Sequence, residues 1–246
     1  MFSIFKKKPK PIDTSLLEPI LTDMHSHVLP GLDDGSPDVE TSLELAKGLV
    51  ELGYKKLICT PHVMSDFYRN TPETINEAAA KLREALTKQN INLELEIAAE
   101  YYLDEAFLAK IEEQEQLLSF GDKYILFETP FMNPSAFTDK AIFQLQSLGY
   151  KPVLAHPERY VYMYGKYGKL AQMHEKGVLL QVNINSLTGY YSKDAKKVAE
   201  QLIEDRMVSF LGTDCHHTRH INMLHKAKEN PYYAAALNLP LLNRNL

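Results

Sequence analysis

Short apolar runs alternate along the chain with longer segments of helical periodicity. Seven runs end near His25 ("PILTDMH"), Thr60 ("KKLICT"), Ala99 ("LELEIAA"), Glu128 ("YILFE"), His156 ("KPVLAH"), Ile184 ("VLLQVNI") and Thr213 ("MVSFLGT"). Most are continuous rather than alternating, as parallel strands covered on both faces require. In "SPDVETSLELAKGLVELG", Ser36 suits a helix cap, Pro37 the first helical position and Gly53 the stop. Val39, Leu43, Ala46 and Val50 then share an apolar face. In "TPETINEAAAKLREALTKQN", Thr71 caps, Pro72 starts, and Ile75, Ala79, Leu82 and Leu86 repeat the spacing. Further helices are expected around 103–117, 135–148, 166–176, 192–204 and 217–228. Strands alternating with helices predict an α/β fold, an irregular TIM-like (β/α)7 barrel, with an open doubly wound sheet as the alternative. A barrel gathers its functional residues from the carboxyl ends of many strands; an open sheet uses one crevice where strand order reverses.

The carboxyl ends are where the chemistry accumulates. The first, "LTDMHSHVLPGLDDG", carries His25, His27, Asp33 and Asp34, and the two histidines can point to one side of a strand, with Asp23 in the same parity. The next ends supply His62 ("TPHV"), Glu100 ("AAEYY"), Glu128 ("FETP") and His156 ("AHPERY"), and the last supplies Asp214 and His216 ("GTDCHH"). Only the sixth end, "QVNINS", lacks an ionisable group; its Asn183 and Asn185 are poor ligands. Taken singly each has an ordinary reading: a solvated histidine, one more acid in line with Glu94 and Glu96, a helix cap at Asp214. Together they imply a cation, because burying so many ionisable groups without a partner is very costly. Histidines with carboxylates and no paired cysteines suit Zn, Mn or Fe(II). Nine ligands, counting one of Asp33 and Asp34, exceed the needs of one ion, so two or three ions bridged by carboxylates are expected, the usual device for hydrolysing phosphate esters. Arg159, three residues beyond His156, would reach the same face, where a guanidinium fits two phosphate oxygens; a surface pair with Glu158 is the plainer alternative.

Composition narrows the classes. With 246 residues, 45% of them hydrophobic, one large domain is affordable over 20–246. A net charge of -5 and a pI near 6.0 disfavour nucleic acid. No stretch has the length of a membrane span. Residues 1–19, with "MFSIFKKKPKPIDTS", read as a solvated basic tail; a secretory signal needs the opposite order and a longer apolar run, and contact with acidic lipid is the alternative. Two cysteines make no disulfide framework and imply a reducing, cytoplasmic compartment. His174, His217, His220 and His225 fall in helices or their approaches and read as solvated.

The segments "DMHSHVLPGLDDG", "CTPHV", "AAEYYL", "FETPF", "AHPERY" and "GTDCHH" resemble the successive motifs of the polymerase-and-histidinol-phosphatase (PHP) superfamily, and within it the bacterial protein-tyrosine phosphatases of capsule and exopolysaccharide systems. The resemblance runs from about Ile20 to about Arg219. It implies a distorted seven-stranded barrel of the PHP type and three metals, with manganese favoured. By resemblance, His25, His27, Glu100 and Asp214 hold the first; Glu100 bridges to a second, joined by Glu128 and His156; Asp34, His62 and His216 hold the third. Asp34 is preferred to Asp33 because it directly precedes the glycine. Arg159 takes the phosphate-binding role, and Arg219 corresponds to a second arginine, although the loop "DCHHTRH" is about two residues shorter than the family's and the basic tail is extra.

The implied reaction is hydrolysis of phosphotyrosine by a metal-bound hydroxide, on a protein such as a tyrosine kinase tail of exopolysaccharide synthesis. A phosphocysteine route is not expected, since it needs arginine six positions after the cysteine, where Cys215 is followed by Ile221 and Cys59 by Ser65. The rivals are a small-molecule phosphatase such as one for histidinol phosphate, an amidohydrolase, which wants a lysine-type bridge where Glu128 stands, and a metal-stabilised scaffold without activity.

Overall fold

The computed structural model describes residues 17–246, so the expected basic tail over 1–19 lies, except for its last three residues, outside the described residues. Among the described residues the chain forms nine strands and eight α-helices. The strands are β1 Thr22–Ser26, β2 Lys56–Cys59, β3 His62–Val63, β4 Glu94–Ile97, β5 Glu100–Tyr102, β6 Tyr124–Glu128, β7 Lys151–Ala155, β8 Leu179–Asn183 and β9 Phe210–Gly212. The helices are α1 Val39–Glu51, α2 Pro72–Lys88, α3 Glu105–Glu112, α4 Thr138–Ser147, α5 Gly168–Glu175, α6 Lys193–Glu204, α7 Thr218–Lys228 and α8 Pro231–Leu237.

Every strand pair is parallel, in a three-stranded sheet of order β1-β2-β4 and a six-stranded sheet of order β3-β5-β6-β7-β8-β9. The α/β class and the seven strand positions agree with the expectation, but no closed barrel ladder runs through the described residues. Two expected strands are interrupted. Thr60 and Pro61 separate β2 from β3, and Pro61 has no N–H to give a ladder. Ala98 and Ala99 separate β4 from β5. Single bonds carry the sheet across these breaks: Ala98 N donates to Cys59 O (2.9 Å) and Glu100 N to Pro61 O (3.1 Å). The first and last strands meet just beyond β9, where Asp214 N donates to His25 O (2.8 Å) and His27 N to Cys215 O (3.0 Å).

The expected helices form, but α1 departs from its signals in its cap, in Pro37, which precedes the helix, and in its buried face, and α8 is not among those expected. Thr71 caps α2 in a reciprocal capping box with Thr74, and Ile75, Ala79, Leu82 and Leu86 are buried. In α1 the cap is Asp38 rather than Ser36, and the buried face is Ser42, Leu45, Ala46 and Leu49. Ser42 can enter because its hydroxyl lies within hydrogen-bond reach of Asp38 O (2.9 Å) and Ser36 Oγ (2.9 Å), which satisfies a buried polar group.

A large apolar core lies under the helices. A second, smaller cluster gathers Met24, Ile58, Leu126, Val153 and Phe210 from five different strands. The closing segment covers the amino ends of β1 and β9: Asn243 bonds both backbone groups of Leu211 and the carbonyl of Thr22, and Leu242 N donates to Ser209 O. With that end sealed, the opposite end, where the strands deliver their carboxyl-terminal residues, is left for chemistry.

Candidate metal centre

Strand register assembles the site. His62 on β3 lies directly beside Glu100 on β5. Glu100 pairs with Leu126, so Glu128, two residues on, shares its face. From β1, His25 and His27 turn to one another, their Nε2 atoms 3.1 Å apart and each within 3.3 Å of Glu100 Oε2. Asp214 Oδ1 lies 3.5 Å from His25 Nε2 and 3.4 Å from His27 Nε2. His156 Nε2 approaches Glu100 Oε1 (3.0 Å) and Glu128 Oε2 (3.8 Å). His62 Nδ1 stands 3.2 Å from Glu100 and 3.3 Å from Glu128. The half-exposed Asp34 carboxylate faces His62 Nε2 (3.6 Å) and His216 Nε2 (3.5 Å). All nine residues singled out as candidate ligands thus converge on one place.

Two groups that do not point into the cluster fix the tautomers. Gln181 Oε1 accepts from His25 Nδ1 (2.8 Å), and Asp33 Oδ2 from His27 Nδ1 (2.7 Å). In the neutral rings that metal binding requires, each bond keeps the proton on Nδ1 and leaves Nε2 a lone pair; without a cation the same atoms take up protons. Two such lone pairs cannot hydrogen-bond one another, and their other neighbours are carboxylates. His62 Nδ1, buried between two carboxylates, also makes no hydrogen bond. A set of electron-pair donors with no shared proton is the donor arrangement a cation satisfies. Four overlapping triads meet that description: His27, His62 and His216; His25, His27 and Glu100; His25, His156 and Asp214; His62, Glu100 and Glu128.

The electrostatics agree. Burial disfavours charge on His25, but Glu100 and Asp214 outweigh it and push its pKa up to about 9. Burial likewise opposes charge on His62, and Glu100 and Glu128 raise it to about 10. Burial alone would raise Glu100 and Asp214, yet the surrounding imidazoles, with Arg159 for Asp214, hold both carboxyls well below the usual range. The field is negative enough to hold protons that a divalent ion would replace.

Local backbone serves the same end. A Cβ at Gly35 would collide with the His27 carbonyl oxygen, so the tight turn after Asp33-Asp34 needs glycine. Asp33 Oδ1 ties the turn at Gly35 N (2.9 Å), and its Oδ2 takes His62 N (3.0 Å). His156 (φ +32°) and Asp214 (φ +51°) both occupy the left-handed region that non-glycine residues seldom adopt.

Arg159 lines the cavity over this cluster, as do His62, Glu128, His156, Asp214 and His216. Its Nη1 donates to Asp214 Oδ2 at 2.8 Å, while Glu158 turns away to accept from Asn183 N (2.9 Å) and Ser186 Oγ (2.6 Å). The alternative pairing of Arg159 with Glu158 is therefore replaced by one with Asp214. Arg219 is exposed at the start of α7, its guanidinium 5.3 Å from the Tyr190 ring, and is not among the cavity-lining residues. His220 is not solvated as its helical position suggested: it is buried, lines the cavity and accepts His216 N at Nδ1 (3.1 Å), with burial pulling its pKa down to about 3.

Sequence reading missed the neutral supports. The end of β8 supplies Gln181, which also accepts His156 N (3.2 Å), and Asn183, which donates to Asp214 Oδ2 (2.6 Å). Asp23, in parity with the histidines, instead accepts from Thr213 N (2.9 Å) and Oγ1 (2.5 Å), locking β1 to the end of β9.

Residues 21–229 match the family described as capsular polysaccharide synthesis, CpsB/CapC. The chain is 36% identical over 206 residues to the tyrosine-protein phosphatase YwqE of Bacillus subtilis, covering 81% of this chain and 78% of that protein. A crystal structure from work on YwqE of Bacillus subtilis and CpsB of Streptococcus pneumoniae, described as unique metal-dependent tyrosine phosphatases, superposes with a TM-score of 0.78 at 32% identity, over 91% of this chain and 94% of that one. A histidinol phosphate phosphatase of Lactococcus lactis shares the fold, with a TM-score of 0.51 at 13% identity over 85% and 94% of the two chains.

Proposed function

The chain belongs to the CpsB/CapC family of capsular polysaccharide synthesis, and on that premise we propose that it is a metal-dependent phosphatase of tyrosine-phosphorylated protein. The observation that carries this reading is the meeting of the His25 and His27 lone pairs beside Glu100, with Arg159 bound to Asp214 in the same cavity.

In this reading His25, His27, Glu100 and Asp214 serve one ion, Glu100, Glu128 and His156 a second, and Asp34, His62 and His216 a third. A set of imidazoles and carboxylates without thiolate suits Mn, Fe(II) or Zn, and manganese is the proposed choice. When bound, such ions supply an acidified water for attack at phosphorus and positive charge beside the phosphate oxygens. The protein's own groups do the rest. Gln181 and Asp33 hold the β1 imidazoles in the ligating tautomer. Arg159 meets the equatorial phosphate oxygens, and Asp214 orients it from the other side. Arg219 is proposed as a second cation, acting from the rim.

Cysteine chemistry finds no support. Cys215 is buried, its thiol is pushed well above the ordinary value by burial, and it does not line the cavity. The cavity, of about 270 Å³, is smaller than the roughly 300–1,000 Å³ of pockets that enclose a whole small ligand, which suits one modified side chain presented by a protein. The proposed partner is a phosphotyrosyl protein of capsule or exopolysaccharide synthesis, such as a tyrosine kinase tail, and the proposed compartment is the cytoplasm.

The test is phosphate release by metal-loaded protein from a tyrosine-phosphorylated peptide, with histidinol phosphate run in parallel. Preference for the peptide is expected. Activity on histidinol phosphate alone moves the assignment to the small-molecule branch, and release from neither favours the scaffold.

A further inference from the structure

Arg159 is held by more than its ion pair. Its guanidinium carbon lies 4.2 Å from the centre of the Tyr191 ring and 4.8 Å from that of Phe131. Both rings line the cavity beside it. The Phe131 ring also stacks on His156, at 5.6 Å with 16° between planes, so one ring touches both a candidate ligand and the arginine. Asn183 Nδ2 reaches the Tyr191 hydroxyl (3.2 Å) and Asp214 Oδ2 (2.6 Å), tying the second ring to the carboxylate that binds Arg159.

These contacts solve a specific problem. An arginine side chain has several rotatable bonds, and an anion-binding guanidinium is effective only if its plane is set before the anion arrives. The pair with Asp214 fixes one edge through Nη1 but leaves the plane free to swing about that bond. Aromatic faces attract a guanidinium and define its plane. We propose that Phe131 and Tyr191 are positioning residues that set the plane of Arg159 for a phosphate group; this rests on the phosphatase reading for the identity of the anion. The residues come from three separate loops, after β6, β7 and β8, so the geometry is a property of the assembled fold. β8, whose end carries no carboxylate or imidazole, contributes Asn183, and the loop that follows it contributes Tyr191.

The test compares Tyr191→Leu, Tyr191→Phe and Phe131→Leu in the full chain. Affinity for inorganic phosphate is read by calorimetry on metal-loaded protein, with bound metal counted and kcat and KM measured on p-nitrophenyl phosphate. Tyr191→Leu is expected to weaken phosphate binding and lower kcat/KM by about tenfold, the order of a desolvated cation–aromatic contact, with metal content unchanged. Tyr191→Phe, which keeps the ring, is expected to restore most of that loss, and Phe131→Leu to show a loss of similar size. A Phe variant as damaged as the Leu variant overturns the proposal, as does a Leu variant that binds phosphate normally or loses its metal. Wild-type protein that binds phosphate but turns over no phosphomonoester defeats the phosphatase reading alone, and the binding comparison still decides the role of the rings.

Discussion

Gln181→Leu is the sharpest perturbation of the metal centre that leaves every candidate ligand in place. Gln181 is fully buried on β8 and makes three bonds: Oε1 accepts from His25 Nδ1 (2.8 Å) and His156 N (3.2 Å), and Nε2 donates to Asn183 Oδ1 (2.8 Å). Leucine fills much the same volume and removes all three. Orphaned buried polar groups cost roughly 1–3 kcal/mol each, so the three lost partners predict a destabilisation of about 3–9 kcal/mol, a large share of the usual 5–15 kcal/mol, with the low end expected where the orphaned groups find new partners. More telling is the metal. Without its acceptor the His25 ring can move its proton to Nε2 or rotate, and loss of such an outer partner typically weakens metal binding by about 10- to 100-fold. Gln181→Glu keeps the acceptor and adds negative charge, so its affinity should equal or exceed that of the parent. The assay is chelator-competition titration with Mn on stripped protein, with circular dichroism confirming the fold. Turnover by Gln181→Leu should fall at limiting Mn and recover largely at saturating Mn. Native Mn affinity in a folded Gln181→Leu variant would refute the claim that His25 ligates through Nε2 under the control of Gln181.

Further outcomes follow from the same geometry. Asp214→Ala and His27→Ala should abolish phosphate release, whereas Cys215→Ser should keep most of it; a Cys215→Ser protein that is inactive yet fully metal-loaded would contradict the hydrolytic route. Arg159→Ala should lower kcat/KM on p-nitrophenyl phosphate by about 10²–10³-fold, as removal of one transition-state donor does elsewhere, without loss of metal. In stripped protein, His25 and His62 have folded pKa values raised to about 9 and about 10. Their contribution to stability is therefore complete below the unfolded value of roughly 6.5 and is lost as pH rises through 9 to 10. The Tm of chelated protein should fall across that window and that of Mn-loaded protein much less, since ligation already requires the neutral rings; parallel curves would rule this out.

The fold was largely legible because its strands are covered on both faces. "YILFE" ends at Glu128 in sequence and in structure, and "KPVLAH" stops within one residue of β7. Thr71-Pro72 marked α2 because cap and proline act locally. The start of α1 was less legible, because Ser36 and Asp38 are both competent caps and only tertiary packing chose between them. The ionisable members of the site stood out through the cost of burying them. Gln181, Asn183 and Tyr191 did not, because neutral groups carry no such signal and their meaning depends on which strands become neighbours. Periodicity could not separate Asp33 from Asp34 either. The turn at Gly35 sends one carboxylate behind His27 and the other toward His62 and His216.

The most direct measurement is phosphate release from a tyrosine-phosphorylated peptide by one preparation of the protein in three states: as isolated, after exhaustive chelation, and after Mn is restored, with bound metal counted in each. Release that disappears with the metal and returns in proportion to the ions regained is the expected result. Release that persists in protein shown to be free of metal, or none in protein shown to be fully loaded, would contradict a metal-dependent phosphotyrosine phosphatase built on His25, His27, Glu100 and their neighbours.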